Sequence, residues 1–168
     1  PTSALLYVGC NTSSGRCKSA EFRTGLYYAF DRETLMSKQL SGHGAAAALP
    51  VSPASSWYDA NLAAQYAYAP DKAAAAFESA GYKLNKKGEL YYYTDRISVK
   101  LIVNRDSSFK SDIAKAIADS LESLGVKVDL QKLSWNDYTK ALEAGDFDLY
   151  VGEVKLTQDF DLTELVGK

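Results

Sequence analysis

Residues 97–133 constrain the fold more than any other part of this chain. A short apolar run, ISVKLIVN, is followed by SFKSDIAKAIADSLESLG and then by VKVDLQKL. The middle segment repeats Ile113, Ile117, Leu121 and Leu124 at helical spacing and stops at Gly125, while the last alternates as a strand does. Strand, helix and strand in so short a span predict a βαβ unit, whose strands lie parallel and are joined by a right-handed crossover. The pattern then repeats. Ser134 can cap a helix over WNDYTKALEAG that places Trp135, Tyr138 and Leu142 near one face, and DFDLYVG closes as a third strand with Phe147, Leu149 and Val151 on one side. The expected class is α/β, a mostly parallel sheet with helices on both faces.

The first half supplies further elements of the same kind. ALLYVGCN reads as an opening strand with Leu5, Tyr7 and Gly9 on one face, and the polar loop TSSGRCKS leads into a helix whose core stripe is Phe22, Leu26, Ala29 and Phe30. Asp31 then precedes RETLMSKQL, where its carboxylate can cap the next helix, which favours a structural over a catalytic Asp31. Residues 42–62, GHGAAAALPVSPASSWYDANL, contain Pro50 and Pro53 and predict a long surface connection. Such connections often carry binding residues, which makes Trp57 and Tyr58 ligand-binding candidates. A helix over APDKAAAAFESAGY follows, with Pro70 in its first turn, Ala73, Ala76, Phe77 and Ala80 inward, and Gly81 at its end. LNKKGELYYYTDR reads as a turn with strand pairing, the Tyr91–Tyr93 run suiting a half-buried pleated surface.

Charge and motif content then exclude several classes. With 168 residues, 19 Lys and Arg against 21 Asp and Glu, the chain suits one domain and lacks the basic stripe that nucleic acid requires. No apolar stretch reaches the roughly 20 residues that cross a bilayer. The chain begins at Pro1 without initiator Met or signal peptide, which predicts a processed product or an excised piece of something longer. There is no phosphate-binding loop and no complete G-x-G-x-x-G, and no cofactor is implied. His43 is the only histidine and no G-x-S-x-G elbow presents a nucleophile, so a small α/β hydrolase using His43 is the least supported reading. Cys10, Cys17 and His43 fall short of the four ligands of a structural zinc, so no metal is expected. Cys10 and Cys17 either form a local disulfide in an oxidising compartment or stay two thiols.

Several ordered segments together resemble a known family. They are YVGCNTSSGRCKSAEFRTGLYYAFDRETL, YAPDKAAAAFESAGY, SVKLIV, and IADSLESLGVKVDLQKLSWNDYTKALEAGDFDLYVG. The chain is similar to the C-terminal lobe of the oligopeptide- and dipeptide-binding family, family 5 of the ABC-transporter extracellular solute-binding proteins. The resemblance rests on Asn11 ending a strand, Arg23 in the following helix, the Asp31-Arg32 step, Trp135 and the GDFDL strand. It implies a type II periplasmic-binding-protein lobe over residues 1–168, one half of a two-lobe clamshell. It further implies capture of a peptide or similar small solute outside the cytoplasm, with no catalysis, and delivery to a membrane permease. The missing first lobe is a partner, and a lipid anchor or periplasmic setting lies beyond the segment. A ligand-sensing domain of a regulator could use the same lobe.

Ligand candidates come from two sources. Open parallel sheets bind at the carboxyl ends of their strands, which in this chain are near Asn11, Asn104 and the Gly152-Glu153 step. The family resemblance adds Trp135, at a position that either faces the cleft or is buried against the sheet. Peptide binders of the family follow the Phe-Asp strand with a Trp and an acid that meets the ligand's amine, where this chain has Val154 and Thr157. Glu153 or Asp159 would then take the acid's place, or both are exposed loop charges.

Overall fold

The computed structural model describes residues 4–13, 15–40, 44–51 and 53–155. Strand β1 (Ala4–Cys10) leads through a 3-10 turn (Arg16–Lys18) into α1 (Ala20–Ala29) and α2 (Arg32–Leu40). Two short helices follow, α3 (Ala60–Gln65) and α4 (Pro70–Ser79), then strands β2 (Lys83–Leu84), β3 (Leu90–Tyr92) and β4 (Asp95–Arg96). The last part runs β5 (Ser98–Asn104), α5 (Ser108–Ser123), β6 (Lys127–Leu133), α6 (Trp135–Ala144) and β7 (Leu149–Lys155).

The main sheet has the order β1-β7-β5-β6. Strand β5 is parallel to both β6 and β7, as the repeated strand-helix pattern predicts, whereas β1 closes the edge antiparallel to β7. Right-handed crossovers that leave β5 in one direction and return in the other place α5 and α6 on opposite faces. Burial along β5 agrees with this. Val99, Leu101 and Val103 join Ile113, Ile117 and Leu121 of α5 in the main core, while the alternate residue Ile102 is also fully buried on the face that α6 contacts. A strand packed on both faces needs consecutive apolar residues, which Leu101, Ile102 and Val103 supply.

On the main-core face α1 lies against α4, with the Phe22 and Phe77 rings 5.3 Å apart. Gly25 permits the approach, because a Cβ there would sit 2.3 Å from the Phe77 ring. Ser19 caps α1 by accepting from the Phe22 N–H at 3.1 Å, and Ser134 caps α6 from the Asp137 N–H at 3.2 Å. Asp31 caps α2 as expected, accepting from the Thr34 N–H at 3.0 Å and from its hydroxyl at 2.7 Å.

Three local expectations need correction. Leu5, Tyr7 and Gly9 do share a face of β1, but the main core takes the other one, Leu6, Val8 and Cys10, and the Tyr150 ring closes over Gly9. The connection before residue 62 already contains the start of α3, whose first turn is satisfied by the Asp59 carboxylate at 2.9 Å from two backbone N–H groups. Tyr93 is not a half-buried strand residue; it has φ of 53° and is 87% exposed, at the turn between β3 and β4.

Candidate functional site

Strand direction assembles one edge of the sheet. Asn104 ends β5 beside Leu133, the last residue of β6, and the Arg105 N–H donates to the Leu133 carbonyl at 2.8 Å. Strand β7 runs the same way, with Leu101 opposite Leu149 and Ile102 opposite Tyr150, so Gly152 and Glu153 lie at this same carboxyl end. Helices α5 and α6 begin directly after β5 and β6, so their amino termini open here too, a place that favours negative charge or an acceptor. Lys110 in the first turn of α5 pairs with Glu153 at 2.5 Å, the two side chains being 21% and 35% exposed. Asn104 accepts from the Asp106 N–H through Oδ1 at 3.0 Å, and its amide nitrogen has no partner among the described residues.

Trp135 stands on this edge as the first residue of α6 and is 58% exposed. Its ring stacks on Tyr138 at 5.8 Å and 29°. Tyr138 is buried and donates its hydroxyl to the Val151 carbonyl at 2.8 Å, and burial pushes its phenol up to about 12. The exposed indole therefore rests on a ring fixed to β7. Apolar contact and hydrogen-bond donors lie on one rim, the combination that small-molecule sites use. An open groove of about 320 Å³ runs along β6 and α6 from Leu133 and Asp137 to Ala144 and Asp146, and none of Asn104, Lys110, Trp135 and Glu153 lines it.

Asn11 is not on this edge. Because β1 runs antiparallel, its carboxyl end meets the beginning of β7, and the three strand ends expected to converge do not. Asn11 instead donates its amide to the carbonyls of Gly145 (3.0 Å) and Phe147 (3.2 Å), and its Oδ1 accepts from Ser13 N–H at 3.0 Å. Arg23 and Arg32, which also carried the family resemblance, do similar work. Arg23 donates to the carbonyls of Cys17 (2.7 Å) and Lys18 (3.0 Å), and Arg32 to those of Tyr27 (2.9 Å) and Tyr66 (3.2 Å) while lying 4.9 Å from the Tyr27 ring centre. Burial lowers the Arg32 pKa from its ordinary value, with the neighbouring Tyr27 opposing the shift.

Trp57 is 86% exposed and Tyr58 is half-buried, both in the connection before α3. Among the described residues no hydrogen bond, ion pair or ring contact joins them to Asn104, Trp135 or Glu153. His43 and Asp159, like Thr157, lie outside the described residues. Among the described residues no group of three His, Cys, Asp and Glu could hold a metal ion, and no helix is long and apolar enough to cross a membrane. Both cysteines are free thiols in this structure. Lys110 is the one member of the edge that the sequence reading missed. Its signal was available in the Ser107 cap, which fixes the first turn of α5 next to the end of β5.

Comparison with known proteins adds a family to this geometry. The model for bacterial extracellular solute-binding proteins, family 5 Middle, matches residues 1–160. The oligopeptide-binding protein AppA of Bacillus subtilis (strain 168) is 28% identical over 147 residues, which cover 86% of this chain and 27% of that protein. A probable ABC transporter-binding protein of Deinococcus radiodurans is 26% identical over 133 residues, 76% of this chain and 22% of its own length. The structure of AppA in complex with a nonapeptide matches with a TM-score of 0.82 and 27% identity, over 96% of this chain and 33% of that one. NikA from Brucella suis, in complex with Fe(III)-EDTA, shares the fold with a TM-score of 0.77 at 19% identity, over 95% of this chain and 33% of its own. The chain thus spans between 22% and 33% of the length of these relatives. The fold is the type II periplasmic-binding one. The chain belongs to the bacterial extracellular solute-binding proteins of family 5.

Proposed function

We propose that this chain is one ligand-binding lobe of an ABC importer's substrate-binding protein, capturing peptides or similar small solutes outside the cytoplasm for a membrane permease. The family match across residues 1–160 carries the reading. The peptide class follows AppA, whose structure holds a nonapeptide. Residues 1–168 then form a single lobe of a larger two-lobe protein, with the other lobe, a lipid anchor or periplasmic setting, and the permease outside this sequence. The role needs no bond-making chemistry.

Within that reading, the carboxyl edge is one wall of the cleft. Trp135 offers an aromatic surface to variable side chains, and the Asn104 amide and the opening of α5 offer donors. Glu153 serves first as the counter-ion of Lys110, so it meets a ligand amine only by giving up that partner. The edge accordingly suits a ligand carboxylate or carbonyl better than an ammonium. Trp57 and Tyr58 belong to the proposal as contacts from the connecting segment.

Calorimetry on the complete protein tests this with one peptide in three forms: free, N-acetylated and C-terminally amidated. Amidation should weaken binding more than acetylation, and Lys110→Met should remove most of that difference. Stronger loss on acetylation, abolished by Glu153→Gln, would restore Glu153 as an amine anchor. No binding of any peptide form would overturn the peptide class.

A further inference from the structure

The amino end of the sheet holds a second constellation that ligand capture leaves unused. Cys10 lies on the core-facing side of β1, with Leu6 and Val8, and Cys17 is fully buried in the same core. The loop between them turns at Gly15, with φ of 57° and so close to Asp148 that a Cβ would lie 2.0 Å from its carboxylate. That turn brings the chain back on itself. The Cys17 thiol donates to the Asp148 carbonyl at 3.5 Å, and the N–H of Asn11, the residue after Cys10, donates to the same oxygen at 2.9 Å. Cys10 is itself paired across the sheet with Leu149, the residue after Asp148, so both cysteines lie beside the same stretch of β7 in one core.

We propose that Cys10 and Cys17 are a reactive dithiol that closes into a disulfide, with Cys10 as the attacking sulfur and Cys17 as the resolving one. Burial sets the order, because Cys10 is half-buried on the edge strand β1 whereas Cys17 is fully buried. Electrostatics agrees. The neighbouring Cys17 thiol, helped by the nearby Arg23 guanidinium, holds the Cys10 thiol below its ordinary pKa, while Cys10 and burial push the Cys17 thiol up. The Cys10 thiolate attacks one sulfur of a disulfide oxidant RSSR and expels RS⁻, leaving a mixed disulfide on Cys10. Cys17 gives its proton to the expelled thiolate and attacks the Cys10 sulfur, expelling the second RS⁻, which takes up the proton released from Cys10. Two protein thiols are oxidised and one RSSR is reduced to two RSH. Closure costs Cys17 its weak bond to the Asp148 carbonyl, which keeps the Asn11 N–H.

The position of Arg16 between the two cysteines makes the test direct, since trypsin cleaves after it. The native protein is incubated with oxidised glutathione, free thiols are then blocked with iodoacetamide, and the tryptic peptides are weighed. We expect the peptide ending at Arg16 to remain joined to Cys17-Lys18, at a mass lower by two hydrogens than the two peptides together. Cys17→Ser should accumulate glutathione on Cys10, and Cys10→Ser should leave Cys17 unmodified until the protein is denatured. Iodoacetamide on both wild-type cysteines, or glutathione persisting on wild-type Cys10, would overturn the proposal. Faster modification of Cys17 than of Cys10 in the native protein would overturn the order of attack. If the serine variants do not fold, the wild-type peptide map decides alone.

Discussion

The two ends of the main sheet are built for different purposes. At the amino end, polar groups are turned inward and matched: Asn11 holds two carbonyls of the α6–β7 turn, and Asp148 accepts the Lys100 N–H at 2.8 Å. At the carboxyl end, the corresponding groups point outward, with an Asn104 amide nitrogen that has no partner among the described residues, a Lys110–Glu153 pair at the surface and an indole standing on Tyr138. Hydrogen bonds satisfied within the fold stabilise it but have little left for a ligand, whereas groups left to water can exchange water for solute. Of the residues that carried the family resemblance, Asn11, Arg23, Asp31 and Arg32 make such internal hydrogen bonds, whereas Trp135 stands on the outward-facing edge. The ligand candidates with geometry behind them lie on that edge.

The largest expected effect on stability is therefore at Asn11. Asn11→Ala leaves the Gly145 and Phe147 carbonyls without their donor and should cost about 2 kcal/mol in chemical denaturation. Its effect on ligand affinity in the complete protein should be small. A large affinity loss with unchanged stability would erase the division between the two ends.

Asp31→Ala follows at about 1 kcal/mol for a lost helix cap. Its pH dependence can be signed, because the Thr34 N–H first, and then the Thr34 hydroxyl, hold the Asp31 carboxyl below its ordinary pKa. A depressed carboxyl pKa contributes stability above the unfolded value, about 4, and loses it as pH falls through the folded value. The gap between wild type and Asp31→Ala should be constant from about pH 6 to 8 and shrink below about pH 4. A gap that widened in acid would reject the cap as its cause.

At the carboxyl end the ranking inverts. Trp135→Ala loses a half-exposed stacking contact worth about 0.5–1 kcal/mol of stability, and should weaken ligand binding by the complete protein roughly tenfold, or about 1.4 kcal/mol. Glu153→Gln should change stability least, by at most about 0.5 kcal/mol and less at high salt, since both partners of the pair keep contact with water. Denaturation and calorimetry on the same variants would show whether stability and affinity separate in this way.

Sequence patterns made the βαβαβ core legible because parallel strands covered on both faces demand apolar runs, and the helices between them carry regular stripes bounded by Ser caps and glycines. Asp31 was legible for the same local reason, a carboxylate placed at a helix start. The direction of β1 was not, since the residues of an edge strand record which face is apolar but not which way its neighbour runs. That missing direction is what put Asn11 at the wrong end. The Lys110–Glu153 pair was invisible for a related reason, because it forms only when α5 and β7 are brought together across the sheet. Helix α3 is six residues long and lacks a periodic stripe, although Asp59 marks its start.

The central claim is that the carboxyl edge is one wall of a site that needs a second. Calorimetric titration of the same peptide into the complete protein and into the 168-residue chain alone tests it most directly. A single wall leaves the far side of the ligand in water, so the account predicts micromolar binding by the complete protein and millimolar or no binding by the lone chain, a difference of at least about 4 kcal/mol. Equal affinity for both would contradict it and place the whole site within this sequence.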